Sequence, residues 1–367
     1  MKGFMLKLSP LFVMALFLMT GCPSSHTSSN AQNVKTFSVG KFPFKVAADS
    51  SGNVWVLNFK GNTVTKLNDA QGVIGTYPVD PSSSNLAIDA QGDVWVTSAQ
   101  NSSIVELSPS GQKIGDYSAG YVPIGVAIDA AGNVWIADGT NTVTELKPNG
   151  GLLGTYTMGI NPVDIVIDAK GDIWVSNTGD NTVSALSPTG TSLGTFGVGV
   201  TPTEIAIDST GNAWIANYGD STVTKIGSTG ITSGTYSTNV EPDHIAIDPS
   251  GNLWIQGDHD VMEMAPGGTP IATYTMGTCP CDMAVDFSGT VWVVDSTNNK
   301  VNALITNKGI VKTYNVGLAP VGMVIDVHGN GWVINAGSNT VTELVGIAPG
   351  PQYWPYKGPQ WIGGGNW

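Results

Sequence analysis

Charge is scarce in this chain. Only 12% of its 367 residues are Asp, Glu, Lys or Arg, against about 25% in an ordinary soluble domain. The charge present is lopsided, with 28 acidic and 15 basic residues and a formal net of −13. So acidic a chain repels phosphate backbones, which argues against nucleic acid as a partner. Cysteine is nearly absent: beyond Cys22 only Cys279 and Cys281 occur. Two thiols cannot build a disulfide framework, so the core must hold itself together. The apolar run Leu11 to Leu18 is too short to span a bilayer as a mature helix. Glycine, at 47 residues, together with Ser, Thr and Asn fills the space that charge leaves. Gly and Asn tolerate positive φ and suit short strands joined by tight turns. Neither a coiled coil nor a helical bundle is written this way.

The first 21 residues read as an export signal rather than as fold. Lys2 and Lys7 give a positive start, the apolar run follows, and Leu18, Met19, Thr20 and Gly21 lead to Cys22. This pattern resembles the bacterial lipobox, with Met19 where Leu is usual. The resemblance implies cleavage before Cys22, which then carries the lipid and anchors the chain without spanning the membrane. The alternative is an ordinary secretory signal with a chance cysteine. The first reading makes the chain an exported lipoprotein of the periplasm or cell surface. Residues 22–33, rich in Ser, form a tether.

From there a single pattern recurs: a Pro position, six residues to an Asp, and six more to a Trp. The Asp positions are Asp49, Asp89, Asp129, Asp168, Asp208, Asp248, Asp286 and Asp326. The matching residues are Trp55, Trp95, Trp135, Trp174, Trp214, Trp254, Trp292 and Trp332, spaced 40, 40, 39, 40, 40, 38 and 40 apart. Each unit holds four short apolar runs. A turn of the type Asp208, Gly211, Asn212 joins the first two as a hairpin, the carboxylate accepting turn amides and the Gly taking positive φ. Four strands in about 40 residues is one propeller blade. The fold expected is therefore all-β, an eight-bladed β-propeller over residues 34–346. The small Ala47, Ala87, Ala127, Val166, Ala206, Ala246, Ala284 and Val324 suit the crowded inner strand. The eight Trp residues belong between blades further out.

The eighth repeat stops after its third run, which ends at Leu344. The segment Val34 to Gly40, with Phe37 in place of the usual strand-four aromatic, matches the missing fourth strand. It should close blade eight and remove the open edges at the seam. Gln352 to Trp354 competes for this place, weakened by Pro349, Pro351 and Pro355, because Pro cannot donate to a ladder. 

The tail, residues 347–367, carries Tyr353, Trp354, Tyr356, Trp361 and Trp367 among Pro and Gly. It reads as a strap on the propeller or as an aromatic contact for a glycan or partner.

A propeller's usual site is the mouth of its central channel. The residue two after each Pro position samples it: Lys45, Asn85, Gly125, Asp164, Glu204, His244, Asp282 and Gly322. The residue three after each Trp samples the same rim: Asn58, Ser98, Asp138, Asn177, Asn217, Gly257, Asp295 and Asn335. These positions vary while the frame around them repeats. Asp164, Glu204, His244 and Asp282 fall on consecutive blades, with Asp138 and Asp295 nearby. Crowded carboxylates raise one another's pKa or invite a cation, so Asp164, Glu204 and Asp282 are candidate ligands for Ca²⁺ or Mg²⁺; a hydrated acidic rim is the alternative. His244, Asp282 and Asp295 are the candidate catalytic groups, although a lone channel His also serves as a hydrogen-bonded lining residue. Cys279, Pro280 and Cys281 read as a strained redox pair, two metal thiolates or an incidental turn.

The unit Pro202, Ile205, Ala206, Ile207, Asp208, Gly211, Asn212, Trp214 resembles the NHL-repeat and streptogramin B lyase-like propellers over Val34 to Leu344. The resemblance implies a propeller and, for the lyases, Mg²⁺-aided elimination that opens a cyclic depsipeptide. Those enzymes use a channel His, a second His one blade on, and a Glu ending that blade's second strand. His244 matches the first, whereas Asp282 and Asp295 stand at the other two, and eight blades replace seven. Gluconolactonase-like propellers, which hold a divalent metal, share residue types but no fixed motif. The expected function is binding: a monomeric, lipid-anchored propeller offering its channel to a protein, glycan or polar small molecule. A metal-assisted lyase or lactonase is the alternative.

Overall fold

The structure, a computed structural model, describes residues 33–277 and 280–349. The export signal, Cys22, the tether, Cys279 and the tail from residue 350 lie outside the described residues. Every blade is a four-stranded antiparallel sheet, and there are eight of them. Blade one comprises Pro43–Ala48, Val54–Asn58, Thr63–Asn68 and Gly72–Pro78. Blade five comprises Pro202–Ile207, Ala213–Asn217, Thr222–Ile226 and Thr232–Ser237. The first strand of each blade touches the first strands of both neighbours, and that of blade eight, Pro320–Ile325, touches that of blade one. The eight first strands thus form a closed inner ring.

The repeated Asp explains the regularity. Asp49 Oδ1 accepts the backbone N–H groups of Ser51 and Asn53, each at 2.9 Å. Its Oδ2 accepts Asn53 Nδ2 at 2.8 Å and the indole Nε1 of Trp55 at 3.3 Å. The same carboxylate-to-indole bond recurs in every blade, from 3.3 Å at Trp95 to 2.8 Å at Trp332. Gly52 sits inside this turn at φ 78°, a conformation open to Gly at no steric cost. Once its N–H is satisfied the indole can be fully buried. All eight are, with at most 3% of their surface exposed.

Each indole faces the aromatic of its own fourth strand, as Trp135 does Tyr156 with ring centroids 5.5 Å apart. The apolar clusters lie between blades. Trp55 and Val64 of blade one, for example, pack with Leu86, Val94 and Val96 of blade two. Because both faces of each sheet are covered in this way, the second strands are near-continuous apolar runs, as in Val54, Trp55, Val56 and Leu57.

Closure follows the sequence. Val34–Ser38 pairs antiparallel with Thr340–Leu344 as the outer strand of blade eight. Phe37 stacks on Trp332 at 6.0 Å, taking the place of the strand-four aromatic. Lys35 forms ion pairs with Asp69 of blade one and with Glu343, the latter at 3.3 Å. The N-terminal strand therefore ties blade eight to itself and to blade one. Replacing Phe37 by Ala should cost about 2–3 kcal/mol, below a fully buried aromatic because Phe37 is half-buried. Removing residues 34–38 should lower the melting temperature further and bare a strand edge that self-associates. Thermal unfolding with light scattering checks both, and a monomer of unchanged melting temperature would refute the closure.

Candidate functional site

The first strand of most blades opens with an irregular step. In blade four Pro162 pairs with Asn177, and then Asp164 with Ser176, so that the register shifts by one residue. The same step precedes Lys45, Gly125, Asp282 and Gly322. Beyond it the inner strand has one edge bonded to the second strand and another facing the next inner strand.

The polar residues at this level staple that second edge. Asp164 Oδ1 accepts the N–H of Ile165, and its Oδ2 accepts the N–H of Ile205 in the next blade, both at 2.9 Å. Asp282 does the same with Met283 and with Met323 of blade eight, both at 2.8 Å. Glu204 Oε2 accepts the N–H of Ile245 at 2.8 Å and lies 3.1 Å from Nδ1 of His244. Asn85 Oδ1 accepts the N–H of Leu86 at 2.9 Å. The structure thus brings Glu204 and His244 into contact and places Asp164, Asp282 and Asn85 as bridges or caps of inner-strand N–H groups.

Lys45 differs from these. It is 7% exposed, and its Nζ is buried without a hydrogen-bond partner. Burial lowers the pKa of its amine, while the charges of Asp282, Glu204 and Asp164 work in the opposite direction. Burial likewise opposes the charge on His244, but Glu204, Asp282 and Asp243 outweigh it and lift the imidazole to about 9. The surroundings therefore favour the charged imidazolium, which can donate a proton or a hydrogen bond, over the free base. Burial raises the carboxyl of Asp282, against the pull of His244, two backbone N–H groups and Lys45.

The second set of sequence candidates has a different role. Asn177 Nδ2 donates to Thr182 Oγ1 and Ser184 Oγ, each at 3.0 Å. Asn217 repeats this with Thr222 and Thr224, and Asn58 and Asn335 with their own third strands. Asp138 accepts Thr140 N at 3.0 Å and Thr142 N at 3.1 Å. Asp295 accepts the backbone and side-chain amides of Asn298. These side chains fasten the turn between the second and third strands instead of lining a mouth. A residue at a strand end can point along the sheet as well as out of it, which spacing alone does not reveal. The recurring Asn, then Thr five and Thr or Ser seven residues later, was the available signal.

Among the described residues no three His, Cys, Asp or Glu side chains gather as metal ligands. Asp164, Glu204 and Asp282 belong to separate blades, and each already holds backbone N–H groups. This set does not fit the compact oxygen cage that Ca²⁺ or Mg²⁺ requires. Cys281 is half-buried at the start of blade seven's inner strand.

The His244 charge has a consequence for stability. A folded pKa of about 9 against the ordinary 6.5 means a contribution fully present below pH 6.5 and lost as pH rises through 9. Asp243, pushed up to about 7 chiefly by burial, titrates lower: it costs stability as pH rises from about 4 towards 7. Urea unfolding should show declining stability between pH 6.5 and 9, and His244→Gln should flatten that window alone. An unchanged slope in the variant would contradict the assignment.

No protein-family model matches the sequence, and no curated protein does. Solved structures match throughout the propeller. The streptogramin B lyase structure is 19% identical with a TM-score of 0.60, covering 72% of this chain and 96% of that one. BamB from Moraxella catarrhalis is 13% identical with a TM-score of 0.68, covering 84% and 98%. The computationally designed Ika8 protein is 12% identical with a TM-score of 0.73 over the same shares. At such identities the likeness speaks for architecture, and this chain is an eight-bladed propeller similar in fold to streptogramin B lyase.

Proposed function

We propose that this protein is a lipid-anchored binding module of the cell envelope, taking a polar group of a small molecule, glycan or protein into its inner ring. The observation that carries the reading is Lys45. A buried amine without a hydrogen-bond partner is costly whether it keeps its charge or gives it up, and a frame this regular offers no reason to keep one. An acceptor-bearing ligand supplies what the amine lacks. Around it, Asp164, Glu204 and Asp282 are held by backbone N–H groups, so the ring is set before a ligand arrives, which lowers the entropic cost of binding. Anchoring at Cys22 is supported by Lys2, Lys7, the short apolar run and the residues Leu18 to Gly21.

The rival reading is a metal-assisted lyase or lactonase. The fold likeness and the Glu204–His244 pair favour it. Against it stand the imidazole lifted to about 9, the carboxylate of Asp295 spent on Asn298, and the dispersed carboxylates. Elimination needs a base beside the proton it removes, and the surroundings of His244 favour its protonated form.

A thermal-shift screen of carboxylates, polyols and oligosaccharides tests the proposal beside a turnover assay on cyclic depsipeptides and lactones with Mg²⁺. A stabilising ligand should emerge whose effect vanishes in Lys45→Met, a variant expected to be at least as stable without ligand because it buries no unpartnered amine. Metal-dependent turnover abolished by His244→Ala would overturn the binding reading in favour of the enzyme.

A further inference from the structure

Where the chain passes from one blade to the next, it carries large apolar side chains in the open. Tyr121, Ile160, Val200 and Leu318 are 60%, 59%, 45% and 60% exposed. All four hold one place in the repeat, two residues before Pro123, Pro162, Pro202 and Pro320. Blade one has Lys41 at this place, and blade two has Pro81. A single exposed hydrophobic is ordinary. Four at one register position, three of them leading into the consecutive blades three, four and five, form a patch that marks an interaction surface.

The backbone holds these residues rigidly. The carbonyl oxygen of each accepts an N–H from a Gly in the turn between strands two and three of the blade it leads into. Gly139 donates to Tyr121 at 3.0 Å, Gly179 to Ile160 at 2.8 Å, Gly219 to Val200 at 2.8 Å and Gly337 to Leu318 at 3.0 Å. Asp180 Oδ2 accepts the N–H of Ile160 at 3.1 Å, and Ser338 Oγ that of Leu318 at 3.2 Å. A Cβ on Gly179 would lie 2.6 Å from Cγ2 of Ile160, and one on Gly219 would lie 2.7 Å from Cγ1 of Val200. Each glycine thus makes room for the apolar side chain beside it. Anchors fixed in advance lose little entropy when a partner arrives.

The edge of this patch is acidic. Asp180 and Asp220 follow the supporting glycines of blades four and five and are exposed. Among the described residues no ion pair reaches either of them. The lysines of blades three to five, Lys147, Lys170 and Lys225, stand in or beside the turns at the other end of the strands. That other end is also where the chain enters and leaves the propeller. Val34 pairs with Leu344, Leu344 pairs with Gly331, and the N–H of Ala348 donates to the carbonyl of Gly329. On the anchoring reading proposed above, the patch therefore faces away from the membrane. A glycan asks for donors and acceptors, which Ile160, Val200 and Leu318 do not offer.

We infer that the crescent of Tyr121, Ile160 and Val200, edged by Asp180 and Asp220, docks a protein partner through aliphatic side chains interspersed with Lys or Arg. The partner's apolar groups bury against the crescent, and its basic groups meet the two carboxylates, giving an apolar centre with a polar rim. The surface stands apart from Lys45 and does not require the inner ring to take a ligand.

Panning a phage-displayed library of random dodecamer peptides on the protein tests this inference, followed by calorimetric titration of one synthesised peptide from the enriched set. The enriched sequences should combine Leu, Ile, Val or Phe with Lys or Arg. Binding of the synthesised peptide should weaken about tenfold in Ile160→Ser and in Val200→Ser. Asp180→Asn with Asp220→Asn should weaken it at low salt and reduce its salt dependence. Lys45→Met should leave it unchanged, which separates this surface from the ring. All four substituted rim positions are exposed, so the variants should keep the melting temperature of the parent. No enrichment, or peptides that bind the Ile160→Ser and Val200→Ser variants undiminished, would overturn the inference. Three other results would also overturn it by assigning the crescent to another occupant. A concentration-dependent dimer in sedimentation, lost in those variants, assigns it to a second copy. Binding to phosphatidylglycerol vesicles, lost in those variants, assigns it to lipid. Peptide binding that emerges only after residues 350–367 are removed assigns it to the chain's own tail.

Discussion

The bond between one carboxylate and one indole is the constraint on which this molecule depends. In each blade an Asp collects turn amides with one oxygen and holds the Trp ring with the other. That permits a large aromatic carrying a polar N–H to be buried completely between blades. The ring then fills the space between neighbouring sheets, and eight such units close a circle. The carboxylates of the frame are satisfied by N–H groups rather than by Lys side chains. Asp208 shows the effect: burial pushes its carboxyl up, yet bonds from Thr210, Asn212 and Trp214 hold it below the ordinary range.

A frame held together locally leaves its innermost edge as the place where sequence can vary. The edge N–H groups still need acceptors, and Asp164, Glu204 and Asp282 supply them across blade boundaries. These three side chains thus bridge blades four to five, five to six and seven to eight and charge the lining at once. Lys45 and His244 sit in the resulting field and respond in opposite ways. His244 touches Glu204 and stays charged, whereas Lys45 touches no acceptor and is depressed by burial. The difference between contact and mere proximity decides which is a lining residue and which awaits a ligand.

The fold was legible because a 40-residue period fixes almost everything at once: blade number, strand order, the Asp turn and the place of the Trp. Even the closing strand could be read from Phe37, whose aromatic character marks a fourth strand. The site was legible in part. Residues two after the Pro position do form the inner ring, and the contact between Glu204 and His244 joins two of them. Asn58, Asn177, Asn217, Asp138 and Asp295 were read as rim residues, whereas their side chains turn back onto their own blade. Position along a strand gives the level in the channel but not the direction of the last side chain. The short turn of blade six, between Leu253–Gln256 and Asp260–Met264, is likewise written in the spacing of 38 between Trp254 and Trp292.

The account therefore rests on eight equivalent anchors, and the indole N–H signals of the eight repeat Trp residues report on them directly. Hydrogen exchange of those signals, followed by two-dimensional NMR, measures whether each anchor opens alone or only with the whole propeller. Eight protected indole N–H groups exchanging together at the rate of global unfolding are the result this account predicts. Fewer than eight protected signals, or blades that release their indole one at a time under native conditions, would contradict it.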